Sequence, residues 1–321
     1  MKQVGLLLIR NFKLLSVAAI LDVFETANKF YTDTNQSTLF NINLIKIDDH
    51  GADHFSNYNT QNLISDELYD LLLIPSFSPG AVKDYIVANQ DYLPWLNRQH
   101  QKGTRIATFC TGAFLLAASG LLNGKVATTH VDACPEFNAA FPDVLLRADK
   151  TVTQDGLLYT SGGATSTFHL LLHLLQYYCG KDIAVRAAKI YAIDMNRDNQ
   201  SYFSTFKPFT DHNDTLVASA QKKIEDSFQY TGTIEEMIKD IPSSRRNIVR
   251  RFKLVTGITP IEYLQQTRVE AAKKLLVQTD QQMMEVIVNS GYNDPKAFRK
   301  IFRKNVGMTP SEYRDKFNAI Q

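Results

Sequence analysis

The stretch Arg105-Ile106-Ala107-Thr108-Phe109-Cys110-Thr111-Gly112-Ala113 ends an apolar run on a thiol, and a glycine two residues later opens a second apolar run. An apolar strand that passes through one residue into a helix holds that side chain at the carboxyl edge of a sheet, where ligands of open α/β sheets collect. A helix N-terminus at such a point lowers a thiol's pKa and offers backbone N–H groups to an anion. The second set of chemically able residues is cationic. Arg246 and Arg250 stand four apart, as do Lys296 and Lys300, so each pair spans one turn of a helical face. Paired cations on a helix suit a polyanion, although a solvated face has the same pattern.

The elements around these residues follow from periodicity. Residues 4–9, 71–75 and 105–109 are short apolar runs of the kind that fill a buried parallel sheet, and residues 40–47 (FNINLIKI) alternate. Residues 150–154 and 157–161 flank Asp155-Gly156, a hairpin signal. Helices are expected at 15–30, 81–101, 112–122 and 165–178. Alternating strands and helices predict an α/β sandwich with a mostly parallel sheet over residues 1–194. Residues 195–214 are polar and aperiodic and read as a linker or a surface-crossing arm. From 215 to 321 the chain reads as helical.

The chain's 321 residues suffice for two ordinary domains, and 44% hydrophobic with 21% charged residues is a globular composition. No apolar run reaches the ~18–20 residues of a membrane span, and the short apolar start is a strand rather than a secretory signal. Three cysteines without metal-ligand spacing suit a reducing cytoplasm. Charge is uneven: residues 216–321 hold 18 Lys/Arg against 12 Asp/Glu, and residues 1–215 hold 17 against 21. A polyanion partner is therefore expected for the second part only.

That part repeats itself. IVRRFKLVTGITPIEY (248–263) matches FRKIFRKNVGMTPSEY (298–313) at an offset of 50, pairing Phe252 with Phe302, Gly257 with Gly307, Pro260 with Pro310 and Tyr263 with Tyr313. Each repeat reads as a helix, a turn, a cap (Ser243 or Ser244; Asn293 or Asp294) and a second helix that is basic on one face and apolar on the other. Phe252, Phe298 and Phe302 fall on the apolar face and are core residues rather than stacking platforms.

This layout resembles the AraC/XylS family, in which two helix-turn-helix units are joined by a long helix. Ser244-x-Arg246-x-Ile248-x-Arg250-x-Phe252 with Gly257-x-Thr259-Pro260 resembles the first unit. Gly291-Tyr292 through Phe298-x-Lys300-x-Phe302 with Gly307-x-Thr309-Pro310 resembles the second, and Arg268-x2-Ala271-x3-Leu275-Leu276 the linker helix. The resemblance implies double-stranded promoter DNA as partner, with Arg246 and Arg250 facing one major groove and Lys296 and Lys300 the next. Ile238 and Ile287 replace a usual alanine, Ile241-Pro242 a usual glycine, and Lys300 a usual arginine. Lysine is the poorer bidentate reader of guanine.

The first part resembles the ThiJ/PfpI branch of the class I glutamine amidotransferase-like fold through Cys110–His130, Tyr159-Thr160-Ser161-Gly162-Gly163-Ala164, and the opening loop from Asn11-Phe12 to Asp22. It implies a flavodoxin-like three-layer sandwich, with Asp22 at the family's acidic position facing the thiol. The two resemblances together are those of GlxA-type regulators. Thr111 stands where the family's proteases place His, and no His–Glu pair is found, so acyl transfer lacks a general base. Cys110, Thr111 and Asp22 match the Cys-Thr-Asp set of isonitrile hydratases.

The expected function is a non-catalytic transcription regulator. Asp22, Cys110, Thr111 and His130 line a pocket for a small effector, amine- or amide-containing by analogy. No metal or cofactor is called for, and a cytoplasmic homodimer is expected. The rival is an isonitrile hydratase- or amidase-like enzyme using Cys110 and carrying a DNA-binding tail. An inherited elbow without a role and a redox-sensing thiol also remain open.

Overall fold

The computed structural model describes residues 1–48, 55, 57–63, 67–78, 82–163, 165–206, 208–210, 212–230 and 232–318. Ala81 and Ala164, which belong to the expected helix and the Gly-Gly turn, lie outside these residues, as do 319–321. The chain divides into two compact units, Met1–Gln200 and Ser201–Gln321.

In the first unit the order is β1 (Lys2–Leu7), α1 (Leu14–Thr32), β2 (Phe40–Lys46), β3 (Asn59–Asn62), β4 (Leu71–Ile74), α2 (Val82–Ala88), α3 (Tyr92–Gln101), β5 (Arg105–Phe109), α4 (Ala113–Ala118), β6 (Val126–Ala127), α5 (Cys134–Ala140), β7 (Leu145–Leu146), β8 (Val152–Asp155), β9 (Leu158–Ser161), α6 (Ser166–Cys179) and α7 (Lys181–Ile190). Seven strands form one sheet in the order β3-β2-β1-β4-β5-β9-β8. All its pairings are parallel except β8 with β9, the hairpin around Asp155-Gly156. Strand alternation sends Leu71 and Leu73 into one core with α1, α6 and α7, and Leu72 and Ile74 into another with α3 and α4. Helices on both faces of a mostly parallel sheet make this the expected flavodoxin-like three-layer sandwich.

The second unit is helical over its described residues: α8 (Thr215–Ser227), α9 (Ile234–Ile238), α10 (Arg245–Thr256), α11 (Pro260–Gln278), α12 (Met283–Asn289), α13 (Pro295–Val306) and α14 (Pro310–Phe317). Each repeat has its own core. Ile248, Phe252 and Tyr263 pack with α8 and α9, and Phe298, Phe302 and Tyr313 pack with α12. None of the helices among the described residues is long and apolar enough to cross a membrane.

Residues 195–214 are divided between the units. Gln200 is buried, and its amide donates to Thr129 O (3.0 Å), Thr128 Oγ1 (3.1 Å) and Ala148 O (3.1 Å) of the first unit. Tyr202 is buried in the second unit's core, where Lys273 donates to Ser204 O.

Candidate nucleic-acid interface and sheet-edge thiol

The repeated Gly-x-Thr-Pro-x-Glu pattern closes one helix and starts the next. Gly257 and Gly307 end α10 and α13 in the left-handed conformation (φ 79° and 82°). Thr259 and Thr309 then cap α11 and α14 in reciprocal boxes with Glu262 and Glu312, and Pro260 and Pro310 fill the first helical position. At the front of the basic helices, Ser244 accepts from Asn247 N–H (3.3 Å) and Asp294 from Lys296 N–H (2.8 Å), which selects these two caps from the four candidates. Each basic helix is thus fixed at both ends, with Ile248 and Phe252, or Phe298 and Phe302, turned into its core.

The opposite faces carry the cations. Arg246, Arg250, Lys296 and Lys300 are all exposed. Arg250 is steadied by Asn247 Oδ1 at 3.1 Å, while the neighbouring Arg245 pairs with Glu235 of α9. Arg251 turns away to Asp214 (2.8 Å), the cap of α8, and so acts within the fold. Ile238 and Ile287 are buried in the cores of the first and second repeats. Arg268 of α11 donates to Phe228 O (2.8 Å) and Tyr230 O (2.7 Å). At Gly291 (φ 88°) a Cβ would lie 2.2 Å from Phe228 O, so the second unit's turn needs a glycine at that contact.

In the first unit, Cys110 follows β5 directly with φ 55°, a strained conformation for a non-glycine residue, and a 3-10 turn leads into α4. Gly112 admits no side chain, because a Cβ would lie 2.6 Å from Pro75 O and 2.7 Å from Ile74 O. The loops after β1 and β4 close over the elbow. Lys13 N–H donates to Ser76 O (2.7 Å), Ser78 N–H to Asn11 O (2.9 Å), and Ser76 N–H to the buried Ser16 hydroxyl (3.0 Å). The Thr111 hydroxyl accepts from Phe77 N–H (2.9 Å) and donates to Phe77 O (3.0 Å).

Cys110 is consequently only 1% exposed. Burial pushes its thiol above the ordinary cysteine pKa, outweighing the lowering by Thr111's backbone N–H and the Lys13 ammonium. The lowering expected from sequence is outweighed by burial. Asp22 is exposed and accepts from the Tyr191 hydroxyl at 2.8 Å. His130 Nδ1 accepts from Asp132 N–H at 3.2 Å, and its ring faces the bare Cα of Gly163. The preceding Thr129 donates to Cys110 O at 3.0 Å. The structure therefore gathers Thr111, Thr129 and Lys13 about Cys110, and engages Asp22 elsewhere. Ser16 and Lys13 escaped the sequence reading because nothing local distinguishes them; loop pairing brings them in. Among the described residues, no group of three or more His, Cys, Asp or Glu is placed to hold a metal ion.

A cleft of about 420 Å³ lies away from the elbow, between the β8 edge, α6 and residues 195–198. Its lining includes none of Asp22, Cys110, Thr111 and His130.

Comparison with known proteins bears on both units. Residues 4–177 match the DJ-1/PfpI family model, and residues 239–316 match a helix-turn-helix domain model. The HTH-type transcriptional regulator GbdR of Pseudomonas aeruginosa is 23% identical over 320 residues, covering 98% of this chain and 84% of that protein. The HTH-type transcriptional regulator CdhR of the same species is 25% identical, covering 96% and 90%. A solved structure from Vibrio parahaemolyticus shares the fold over 59% of this chain and 98% of its own, at TM-score 0.50 and 23% identity. Residues 4–177 are more than half of the polypeptide, and the chain belongs to the DJ-1/PfpI family, with a helix-turn-helix domain over residues 239–316.

Proposed function

We propose that this protein is a sequence-specific, DNA-binding transcription regulator whose first unit senses a small molecule without catalysing a reaction. The carrying observation is the outward placement of Arg246, Arg250, Lys296 and Lys300 on α10 and α13, the second helices of a duplicated unit. Each helix enters a major groove, the arginine pair reading base edges and the lysine pair contributing more to affinity than to specificity. The likeness along nearly the whole length of named HTH-type transcriptional regulators supports the same reading.

Catalysis draws no support from the elbow. The thiol is buried with its pKa raised, and the Thr111 hydroxyl beside it also bonds the Phe77 backbone. The protein acts on promoter DNA as a cytoplasmic homodimer. Free thiols at Cys110, Cys134 and Cys179 fit a reducing compartment, and a second copy would add avidity on repeated sites.

The test is binding to duplexes selected from a random pool, measured against salt. Arg246→Ala and Arg250→Ala should each cost ~1–3 kcal/mol and relax base preference at one position. The double variant should also show a shallower salt dependence. An unchanged footprint and salt slope in the double variant rules the placement out.

A further inference from the structure

We propose that the cleft at the sheet edge binds a small organic anion, held by Arg147, Lys150 and Arg197 around the hydroxyl of Thr151. The proposal rests on the reading of the first unit as a sensor. It differs from the sequence expectation in place and in charge, since that expectation set an amine- or amide-containing ligand in a pocket lined by Asp22, Cys110, Thr111 and His130.

The cleft volume of about 420 Å³ falls in the range of small-molecule sites. All three cations line it, and among the described residues of its lining the one carboxylate is Asp198. Lys150 meets Asp198 at 3.4 Å, and Arg147 meets Asp149 at 3.2 Å. Both pairs are largely exposed and therefore weak, so a ligand carboxylate can take over either cation at small cost. Arg197 is oriented by Thr165 Oγ1 (3.1 Å) and Ser166 Oγ (2.8 Å).

The second observation is Thr151. Thr151 is among the residues that line the cleft and is 1% exposed, and its hydroxyl makes no hydrogen bond. A buried polar group left unpaired is costly, and a ligand oxygen in the cleft would satisfy this one. Burial holds His169 and His173 below the ordinary histidine pKa, so they line the cleft as neutral polar groups at pH 7. Val152, Leu172 and Met195 offer an apolar wall to the ligand's carbon body.

The floor of the cleft also gives the site its consequence. Asp198 O accepts from Thr151 N–H at 3.0 Å, and Gln200 N–H donates to Asp149 O at 2.8 Å. These are the last residues before the second unit begins at Ser201. An anion that takes Lys150 from Asp198 therefore acts on the segment that continues into the DNA-binding unit. A ligand shifts such an equilibrium only through different affinities for its two states, and the Lys150–Asp198 exchange supplies that difference.

The experiment is calorimetry on the full chain, without DNA, using glutarate, inorganic phosphate and ethylammonium chloride as probes. Glutarate should bind once per chain. Lys150→Gln, Arg147→Gln and Thr151→Val should each weaken it at least about tenfold, with thermal midpoints near that of the parent. Phosphate binding at the same residues in place of glutarate also supports the site and makes a phosphate ester the ligand class. The assignment is overturned if neither anion binds at about 10 mM, or if ethylammonium alone binds. It is equally overturned if Cys110→Ala abolishes glutarate binding while Lys150→Gln leaves it intact. A chain that binds glutarate but no duplex keeps the site and loses the regulator reading; duplex binding without anion binding does the reverse.

Discussion

Burial of thiols has a measurable consequence at the scale of single residues. Cys110 is raised above its ordinary pKa by desolvation, Cys134 is pushed up to about 12 and Cys179 to about 11 by the same cause. In the unfolded chain the three would lose their protons near pH ~8.5. Above that pH the unfolded state binds fewer protons than the folded one, so stability is full at lower pH and falls as pH rises toward the folded values. The loss is about 1.4 kcal/mol per pH unit for each buried thiol. Denaturant unfolding at about pH 8 and about pH 10 should show a clear loss in the parent chain. Cys134→Ala should lose about 2 kcal/mol less between the same two points. An equal loss in both proteins would mean that Cys134 titrates normally in the fold. The same burial makes the elbow a structural joint: the residue types at 110 and 112 announce a turn, but only the pairing of the 11–13 and 76–78 loops shows that it is covered.

At the scale of elements, Arg268 ties the two helix-turn-helix units together. Its guanidinium on α11 satisfies the carbonyls of Phe228 and Tyr230 beyond the end of α8, and it stacks over Tyr292 at 5.3 Å. The part-buried Phe228 carbonyl that loses such a donor is expensive, and a lysine cannot reproduce the two-pronged geometry. Arg268→Ala and Arg268→Lys should each destabilise the second unit by roughly 2–3 kcal/mol, read as a lower unfolding midpoint. A lysine variant as stable as the parent would show that charge alone suffices. Elements with a strong period were legible in sequence: β5 runs over the expected residues, and the Asp155-Gly156 hairpin is in place. The misses have physical causes. The expected helix at 81–101 is two helices, α2 and α3, because the buried Asn89 binds Tyr85 O and accepts from Arg10 N–H, a partner far away in sequence. β3 is Asn-Thr-Gln-Asn, a polar edge strand without apolar alternation. α7 starts directly at Gly180 with no intervening loop. Gln200 looks like linker polarity until its burial against Thr128, Thr129 and Gly163 is seen, and Gly162 is bare because a Cβ there would meet its amide at 1.9 Å. The cationic helices were legible for the opposite reason, since duplication wrote the same caps and stops twice. The cleft was not, because its cations come from the end of β7, the start of β8 and residue 197.

For the DNA-binding unit taken whole, the decisive feature is that its two helix-turn-helix cores are separate but share one continuous helix. α11 contributes Tyr263 and Leu264 to the first core and Val269, Ala272 and Leu276 to the second. Its 19 residues make a rod about 28 Å long, braced by Arg268. A rod of that kind sets the separation of α10 and α13 in the fold, instead of leaving it to the DNA. Two recognition helices so fixed suit grooves one turn, or ~34 Å, apart on one face of the duplex. Inserting about 5 bp between the half-sites should therefore put the second groove on the far side and remove the contacts of Lys296 and Lys300. At ~1–3 kcal/mol per contact, affinity should fall about 30-fold or more. Lys296→Ala/Lys300→Ala should bind the parent duplex and the inserted duplex about equally, because it has nothing further to lose. A flexible tether between the units would give the contrary pattern, with the inserted duplex held almost as tightly as the original. Gel-shift titration of the two duplexes with the two proteins distinguishes the cases, since only a rigid α11 makes the insertion and the lysine substitutions non-additive.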